Sequence, residues 1–197
     1  MNRCDPRLDV VVFRTELGWM AAAGGAGLLC RLVFGHPSGS RALEAATAGL
    51  GSPWRKSDWC PSLVAMLVDY AAGAEVSFDH VELELSDRTA FQVRVVNALR
   101  QVPYGATISY GRLAARAGCQ GGARAVGNCM AANRFPLIVP CHRVVNSDGS
   151  IGNFSAPQGI EMKRRLLDLE QPRGLQSGVS TRPRRAVIKR RGQAQFA

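Results

Sequence analysis

Between Leu8 and Phe34 the chain is dense in β-branched and aliphatic residues. "LDVVVFRT" and "LLCRLVF" predict strands, with "AAAGGAG" between them as a hairpin-like turn. "GSRALEAATAGL" (39–50) carries helical spacing, and "CPSLVAMLVDYAAG" (60–73) predicts a second helix with Pro61 early and Gly73 just past its end. "VSFDHVELEL" (76–85) alternates apolar and polar positions and predicts a further strand. In "TAFQVRVVNALRQV" (89–102), Thr89 with Gln92 matches a capping box, and Phe91, Val95, Ala98 and Leu99 mark one helical face. "PYG" at 103–105 breaks the chain, Ser109 can cap "YGRLAARAG", and "CQGG" leads into "ARAVGNCMAAN" (123–133), a helix-turn-helix layout. "NSDGSIGNFS" is rich in turn formers and reads as a wing-like loop or hairpin. "GIEMKRRLLDLE" (159–170) predicts a last helix with Ile160, Met162, Leu166, Leu167 and Leu169 as apolar candidates, ending on Glu170.

These patterns divide the 197 residues into a small α/β unit (1–85), a mainly α unit (86–171) and a basic tail (172–197). Seven of the +10 net charges, Arg173, Arg182, Arg184, Arg185, Lys189, Arg190 and Arg191, lie after Glu170 with no acid among them. Such an arm suits contact with nucleic acid or serves only to solubilise the chain, and the sequence leaves both readings open. No apolar run is long enough for a membrane helix and the N-terminus does not read as a secretory signal, so an intracellular protein, with no membrane partner, is expected. The six cysteines show no CxxC pair, so most read as small buried apolar residues rather than a disulfide framework. The helix at 123–133 is unusual. Ala123, Ala125 and Gly127 make it small, and Arg124 stands alone as a long cation. It reads either as a tightly packed internal helix or as one that enters a minor groove with one intruding residue.

The candidate chemistry lies in "LIVPCHRVV" (137–145), where Cys141, His142 and Arg143 interrupt an apolar run. A thiol attacks as thiolate and needs a base or a cation nearby. Adjacent side chains on a strand point to opposite faces, so His142 assists Cys141 only if the backbone turns or a water bridges them. Pro140 makes a turn plausible, and a carboxylate would be needed to hold the imidazole. A buried structural Cys beside a core or surface His is the competing reading of the same four residues.

"VPCHRVV", "YGATISYGRLAARAG", "ARAVGNCMAANRFPLIVPCHRVV" and "GSIGNFS" resemble, in order and spacing, the O6-alkylguanine-DNA alkyltransferases, also called methylated-DNA–protein-cysteine methyltransferases. The resemblance covers residues 89–170 and extends to the first hairpin through "FRTELGWMAAAGGAGLLCRLVFG". It implies an α/β, ribonuclease H-like N-terminal domain and a winged helix-turn-helix C-terminal domain. It also implies direct-reversal repair in which a flipped O6-alkylguanine, and by extension O4-alkylthymine, gives its alkyl group irreversibly to Cys141. His142 would deprotonate Cys141 through a water and Glu170 would hold His142. Asn133 would brace the helix-turn-helix against the active-site segment. Tyr110 would donate to the guanine ring, Ser155 would offer a backbone N–H to O6, and the carbonyls of Cys141 and Val144 would accept from the exocyclic amine. Lys163 matches a lysine near the pocket, and Phe154 sits where some members have tyrosine. Arg124 matches the arginine finger, with Ala123, Ala125 and Gly127 letting its helix into the minor groove. The implied partner is double-stranded DNA, bound largely without regard to sequence by a monomer in the cytoplasm, or in the nucleus of a eukaryote. No cofactor is expected. Some members hold a structural zinc, for which Cys4 and Cys30 would be candidates. Gly25 occupies one expected ligand position and neither His36 nor His80 has a clear place, so no metal is expected. "SAPQGIEMK" runs longer than the family's "SGGL" type of loop, which bears on pocket size and on the placing of Lys163 and Glu170. Non-transferring relatives that only sense damage replace the cysteine, which this chain keeps. A cysteine hydrolase would leave the helix-turn-helix and Arg124 without a role.

Overall fold

A computed structural model describes residues 7–171. Cys4 and the basic tail lie outside the described residues. The first half is a four-stranded sheet in the order β3-β2-β1-β4, made of β1 (Leu8–Thr15), β2 (Gly18–Gly25), β3 (Leu28–His36) and β4 (Trp54–Lys56). The first three strands pair antiparallel, and β4 joins β1 in parallel.

The alanine-rich stretch is therefore not the turn its composition suggested; it is most of the central strand β2. The reason is position. β2 is covered on both faces, by helix α1 (Gly39–Thr47) with Ala21 and Ala23 on one side and by the main core with Met20 and Ala22 on the other. Small side chains fit between two layers where larger ones would clash, and this packing overrides a weak β-propensity. The reversals fall instead at Glu16–Leu17 and at Ala26–Gly27, where φ is 51° and 84°, as a two-residue hairpin turn requires.

Helix α2 (Pro61–Ala71) has Pro61 in its first turn and buries Leu63, Leu67, Tyr70 and Ala71 along one stripe. The expected strand at 76–85 does not form. That segment touches β3 at a single bridge, Leu29 to Leu83. Its apolar positions do face the core, with Phe78 and Leu83 buried. Three of its carbonyls are claimed elsewhere: Arg100 donates to Phe78 O (2.9 Å), Asp79 O (2.8 Å) and Val81 O (3.0 Å), which takes these three out of any ladder.

The second half contains α3 (Ala90–Arg100), β5 (Ile108–Ser109), α4 (Tyr110–Arg116), α5 (Ala123–Ala131), a 3-10 turn (Cys141–Arg143), β6 (Val144–Val145) and α6 (Gly159–Leu169). Thr89 and Gln92 close the capping box on α3, and Ser109 caps α4 by accepting from Arg112 N (3.3 Å). Residues 146–153 form no strand pair; they hold one turn at Ser147–Gly149, closed by Asn146 N donating to Ser150 O (3.0 Å). The larger cluster of buried side chains runs through both halves, from Met20, Leu32 and Tyr70 to Val95, Leu113, Val139 and Leu166. Leu32 N also donates to Arg134 O (2.8 Å), which ties β3 to the segment leading into the 3-10 turn.

Candidate active site

The chain already turns at 136–138, where Leu137 has φ 73° and Val139 N donates back to Phe135 O at 2.8 Å, and after Pro140 the next three residues wind into a single 3-10 turn. This puts the backbone turn where the Cys141–His142 pair needs it. Both residues are buried, so the apolar context of "LIVPCHRVV" is real, but the two side chains serve different surroundings.

Cys141 forms part of the wall of a cavity of about 300 Å³, shared with Leu32, Phe34, Met130, Asn133, Pro136, Phe154 and Ser155. Its sulfur accepts from Asn133 Nδ2 at 3.2 Å, and the same amide nitrogen donates to Val139 O at 2.9 Å. Asn133 Oδ1 in turn accepts from Phe135 N at 3.0 Å, which fixes the amide's orientation. Burial pushes the Cys141 thiol up, against the Asn133 hydrogen bond and the Lys163 charge, which pull it down. At rest the sulfur is a thiol that needs a base.

His142 faces the protein interior. Its Nε2 lies 2.9 Å from Glu170 Oε1. Glu170, at the end of α6, is almost fully buried, and its carboxylate collects donors from four residues. Arg143 Nη2 reaches Oε1 at 2.8 Å and Nε reaches Oε2 at 2.9 Å. Gly105 N donates to Oε2 at 3.1 Å and the Tyr70 hydroxyl to Oε1 at 2.7 Å. Burial opposes ionisation of Glu170, but the hydrogen bonds from His142, Arg143 and Tyr70 outweigh it and hold the carboxyl far below the usual carboxylate range. A permanent carboxylate accepts, so Nε2 of His142 carries the proton. Nδ1 then presents a lone pair, and it is buried with no hydrogen-bond partner among the described residues. Burial lowers the imidazole pKa, so the ring rests neutral and able to take a proton.

The other expected site residues are distributed as follows. Lys163 is fully buried on α6 and donates to Val144 O at 2.6 Å; burial lowers its pKa, and the nearby Cys141 opposes that. The Cys141 carbonyl accepts from Val144 N within the turn. Tyr110 opens α4 half-buried beside Gly152, where a Cβ would stand 3.2 Å from its hydroxyl. Phe154 packs edge-on against Phe34 at 6.4 Å, and Ser155 is exposed at the cavity rim. Arg124 and Ala125 point out from α5, Ala123 is half-buried, and a Cβ on Gly127 would meet nothing within 4 Å. Arg124 makes no salt bridge among the described residues. An open hollow bounded by Ser109, Tyr110, Ala123, Gly127 and Asn146 lies between α4, α5 and the turns after β6. Among the described residues no cluster of His, Cys, Asp and Glu could hold a metal ion, and no helix is long and apolar enough to cross a membrane.

Three groups around Glu170 carry no local signal of their part in the site. Arg143 stood beside the pair without a role; its spare nitrogen also donates to Val102 O at 2.6 Å. Gly105 reads in the sequence as part of a chain break, yet a Cβ there would sit 2.8 Å from Glu170 O, and its φ is +72°. Tyr70 is a hundred positions from Glu170, and nothing local signals the contact.

Comparison with known proteins identifies the family of the chain. Residues 90–172 match the family described as 6-O-methylguanine DNA methyltransferase, DNA binding domain. The chain is 43% identical over 124 residues to the methylated-DNA–protein-cysteine methyltransferase of Mycobacterium tuberculosis, covering 60% of this chain and 73% of that one. It is 39% identical to that of Methanopyrus kandleri over 65% of this chain and 94% of the relative. With the Methanothermobacter thermautotrophicus protein of the same name the identity is 38%, and the match spans 62% of that protein's length and 56% of this chain. The crystal structure of Mycobacterium tuberculosis OGT in complex with DNA superposes with a TM-score of 0.69 at 34% identity, over 82% of this chain and 92% of that one. The O6-methylguanine-DNA methyltransferase from Pyrococcus kodakaraensis gives 0.59 at 29% identity, over 83% and 98%.

Proposed function

Because this chain belongs to the methylated-DNA–protein-cysteine methyltransferases, enzymes of direct-reversal DNA repair, we propose that Cys141 is its alkyl acceptor and O6-alkylguanine in DNA its donor. The observation that carries this reading is a buried thiol on a cavity wall, next in sequence to a neutral imidazole whose outer nitrogen is held by a carboxylate. The thiol proton passes to Nδ1 of His142 through one bridging water, since the two side chains make no direct hydrogen bond. The sulfur then attacks the alkyl carbon, the carbon–O6 bond breaks, and its electron pair stays on the guanine. Glu170 stabilises the imidazolium that forms, as a third group does in nucleophile–base–acid arrangements generally. The Lys163 ammonium favours the thiolate. A thioether is a poor leaving group, so each molecule acts once.

The base must leave the stack for its O6 to reach a buried sulfur. Tyr110 donates to the guanine ring, the Ser155 N–H meets O6, and Phe154 walls the pocket. The second lone pairs of the Cys141 and Val144 carbonyls accept from the exocyclic amine. We further infer that α4, α5 and the turns after β6 form a winged helix-turn-helix. Its second helix lies in the minor groove, Ala123, Ala125 and Gly127 allow close approach, and Arg124 fills the space of the flipped base. Such binding is led by phosphate contacts, nearly independent of sequence and sensitive to salt, and a monomer suffices for it. The functional boundary between the α/β and DNA-binding units is placed at 85/86.

The test is intact-protein mass after mixing with duplex DNA carrying O6-methylguanine, alongside Cys141→Ala. A gain of one methylene in the parent chain alone, mapped to Cys141, is the expected result. No gain, with tight damage-dependent binding, would make the protein a damage sensor.

A further inference from the structure

The catalytic segment and its carboxylate both belong to the second half of the chain, yet one donor on Glu170 comes from the first. Tyr70 lies on α2, fully buried, and its hydroxyl donates to Glu170 Oε1 at 2.7 Å while standing 3.4 Å from His142 Nε2. We propose that Tyr70 is a positioning residue for the alkyl transfer: by donating to the same carboxylate oxygen that holds His142 Nε2, it limits how strongly Glu170 stabilises the imidazolium and so tunes Nδ1 as the base.

Two groups, the phenol and the imidazole Nε2, converge on one carboxylate oxygen. Both donate to it, so each weakens the hold that the shared oxygen has on the other's proton. The phenol stays neutral, because burial and the Glu170 charge both push its pKa up. The ring has its own supports, with Phe78 at 5.8 Å and Tyr104 at 6.2 Å between centroids, so the hydroxyl is not needed to place it. The hydroxyl is needed by Glu170. It shares the carboxylate's charge with Arg143 and thereby limits how strongly that charge holds a proton on His142. The charged or titratable groups facing His142 are Glu170 and Lys163 from α6, Arg143 and Cys141 from its own turn and Tyr70 from α2. Of these only Tyr70 comes from the first half, which makes the α/β unit a contributor to the chemistry.

The proposal rests on the alkyl-transfer reading, and the test separates the two. Parent and Tyr70→Phe chains, full length, are compared in single-turnover transfer from O6-methylguanine duplex across the pH range. In parallel, His142 is followed by NMR with 15N-labelled histidine, which needs no transfer. Tyr70→Phe keeps the ring and should fold. Positioned acid–base groups contribute roughly 10²–10⁴-fold, so loss of one constraint on the base should slow transfer by about tenfold or more. The acid limb of the rate profile and the His142 titration should both move to higher pH in Tyr70→Phe. An unchanged rate, acid limb and His142 titration would overturn the proposal and leave the functional reading intact. A parent chain that never alkylates Cys141 would refute the functional reading, and the NMR titration would still decide whether Tyr70 tunes His142.

Discussion

Arg143 offers the most direct test of how the site is held together. It is 7% exposed and places two of its nitrogens on Glu170 and a third on Val102 O. Arg143→Met keeps the apolar stem and removes the charge. Glu170 then stays buried with Tyr70, Gly105 and His142 as its donors but without a cation in contact. Breaking a buried pair from one side costs about 3–5 kcal/mol, because the remaining charge is uncompensated. A chain of this length shifts its melting midpoint by roughly 2–4 °C per kcal/mol, so the loss should be about 6–20 °C. Adding Glu170→Gln removes the stranded charge, and a double-mutant cycle should return about 1–3 kcal/mol of coupling. Guanidinium unfolding followed by fluorescence measures all four chains. The pH dependence adds a check. The folded pKa of Glu170 is depressed, so its stabilisation is present above the unfolded carboxylate's pKa and is lost as pH falls, beginning below about pH 5. Removing Arg143 should weaken that acid-side loss. A cost below about 1 kcal/mol, the worth of an exposed pair, would refute the claim that Glu170 is held as a buried anion by Arg143.

Other outcomes follow from the same geometry. His142 titrates below its ordinary value, so the transfer rate should be level above about pH 6.5 and fall in acid; a rate that rises steadily to pH 9 would point instead to free thiolate. Arg124→Ala should slow transfer from duplex by about tenfold or more while leaving transfer from the free base unchanged, a comparison made by single-turnover kinetics. Gly127→Ala has open space around it and should stabilise the helix by about 0.5–1 kcal/mol in thermal unfolding, yet weaken duplex binding measured by fluorescence anisotropy; unchanged binding would remove α5 from the groove.

What the sequence disclosed and what it withheld divide along contact range. Local chemistry was readable: Thr89 with Gln92, Pro61 at a helix start, Ser109 as a cap and Pro140 before a turn all act within a few residues, and each appears where its pattern placed it. The alanines of β2 misled because a strand covered on both faces has no alternation to display. The segment at 76–85 misled in the opposite way: its alternation reflects real burial, but Arg100 took three of the carbonyls that a ladder would have used. Cys141 and His142 stood out as a pair through residue type, whereas the setting of Glu170 depends on Tyr70, Gly105 and Arg143 arriving from three parts of the chain. Only the fold brings those groups together.

The core that runs without a break through both halves has a consequence for dissection of the molecule. Cutting the chain in the exposed stretch around Ser86–Arg88 would sever no element of regular structure. Each fragment would carry one side of a surface as apolar as a protein interior, with Leu32, Leu67 and Tyr70 on one piece and Val95, Leu99 and Leu166 on the other. Two such pieces behave as an obligate heterodimer rather than as independent modules. Reassembly of the split chain would then report on itself, because Tyr70 and Glu170 would meet only in the reconstituted pair, and repair would follow fragment concentration with the steepness of a bimolecular association.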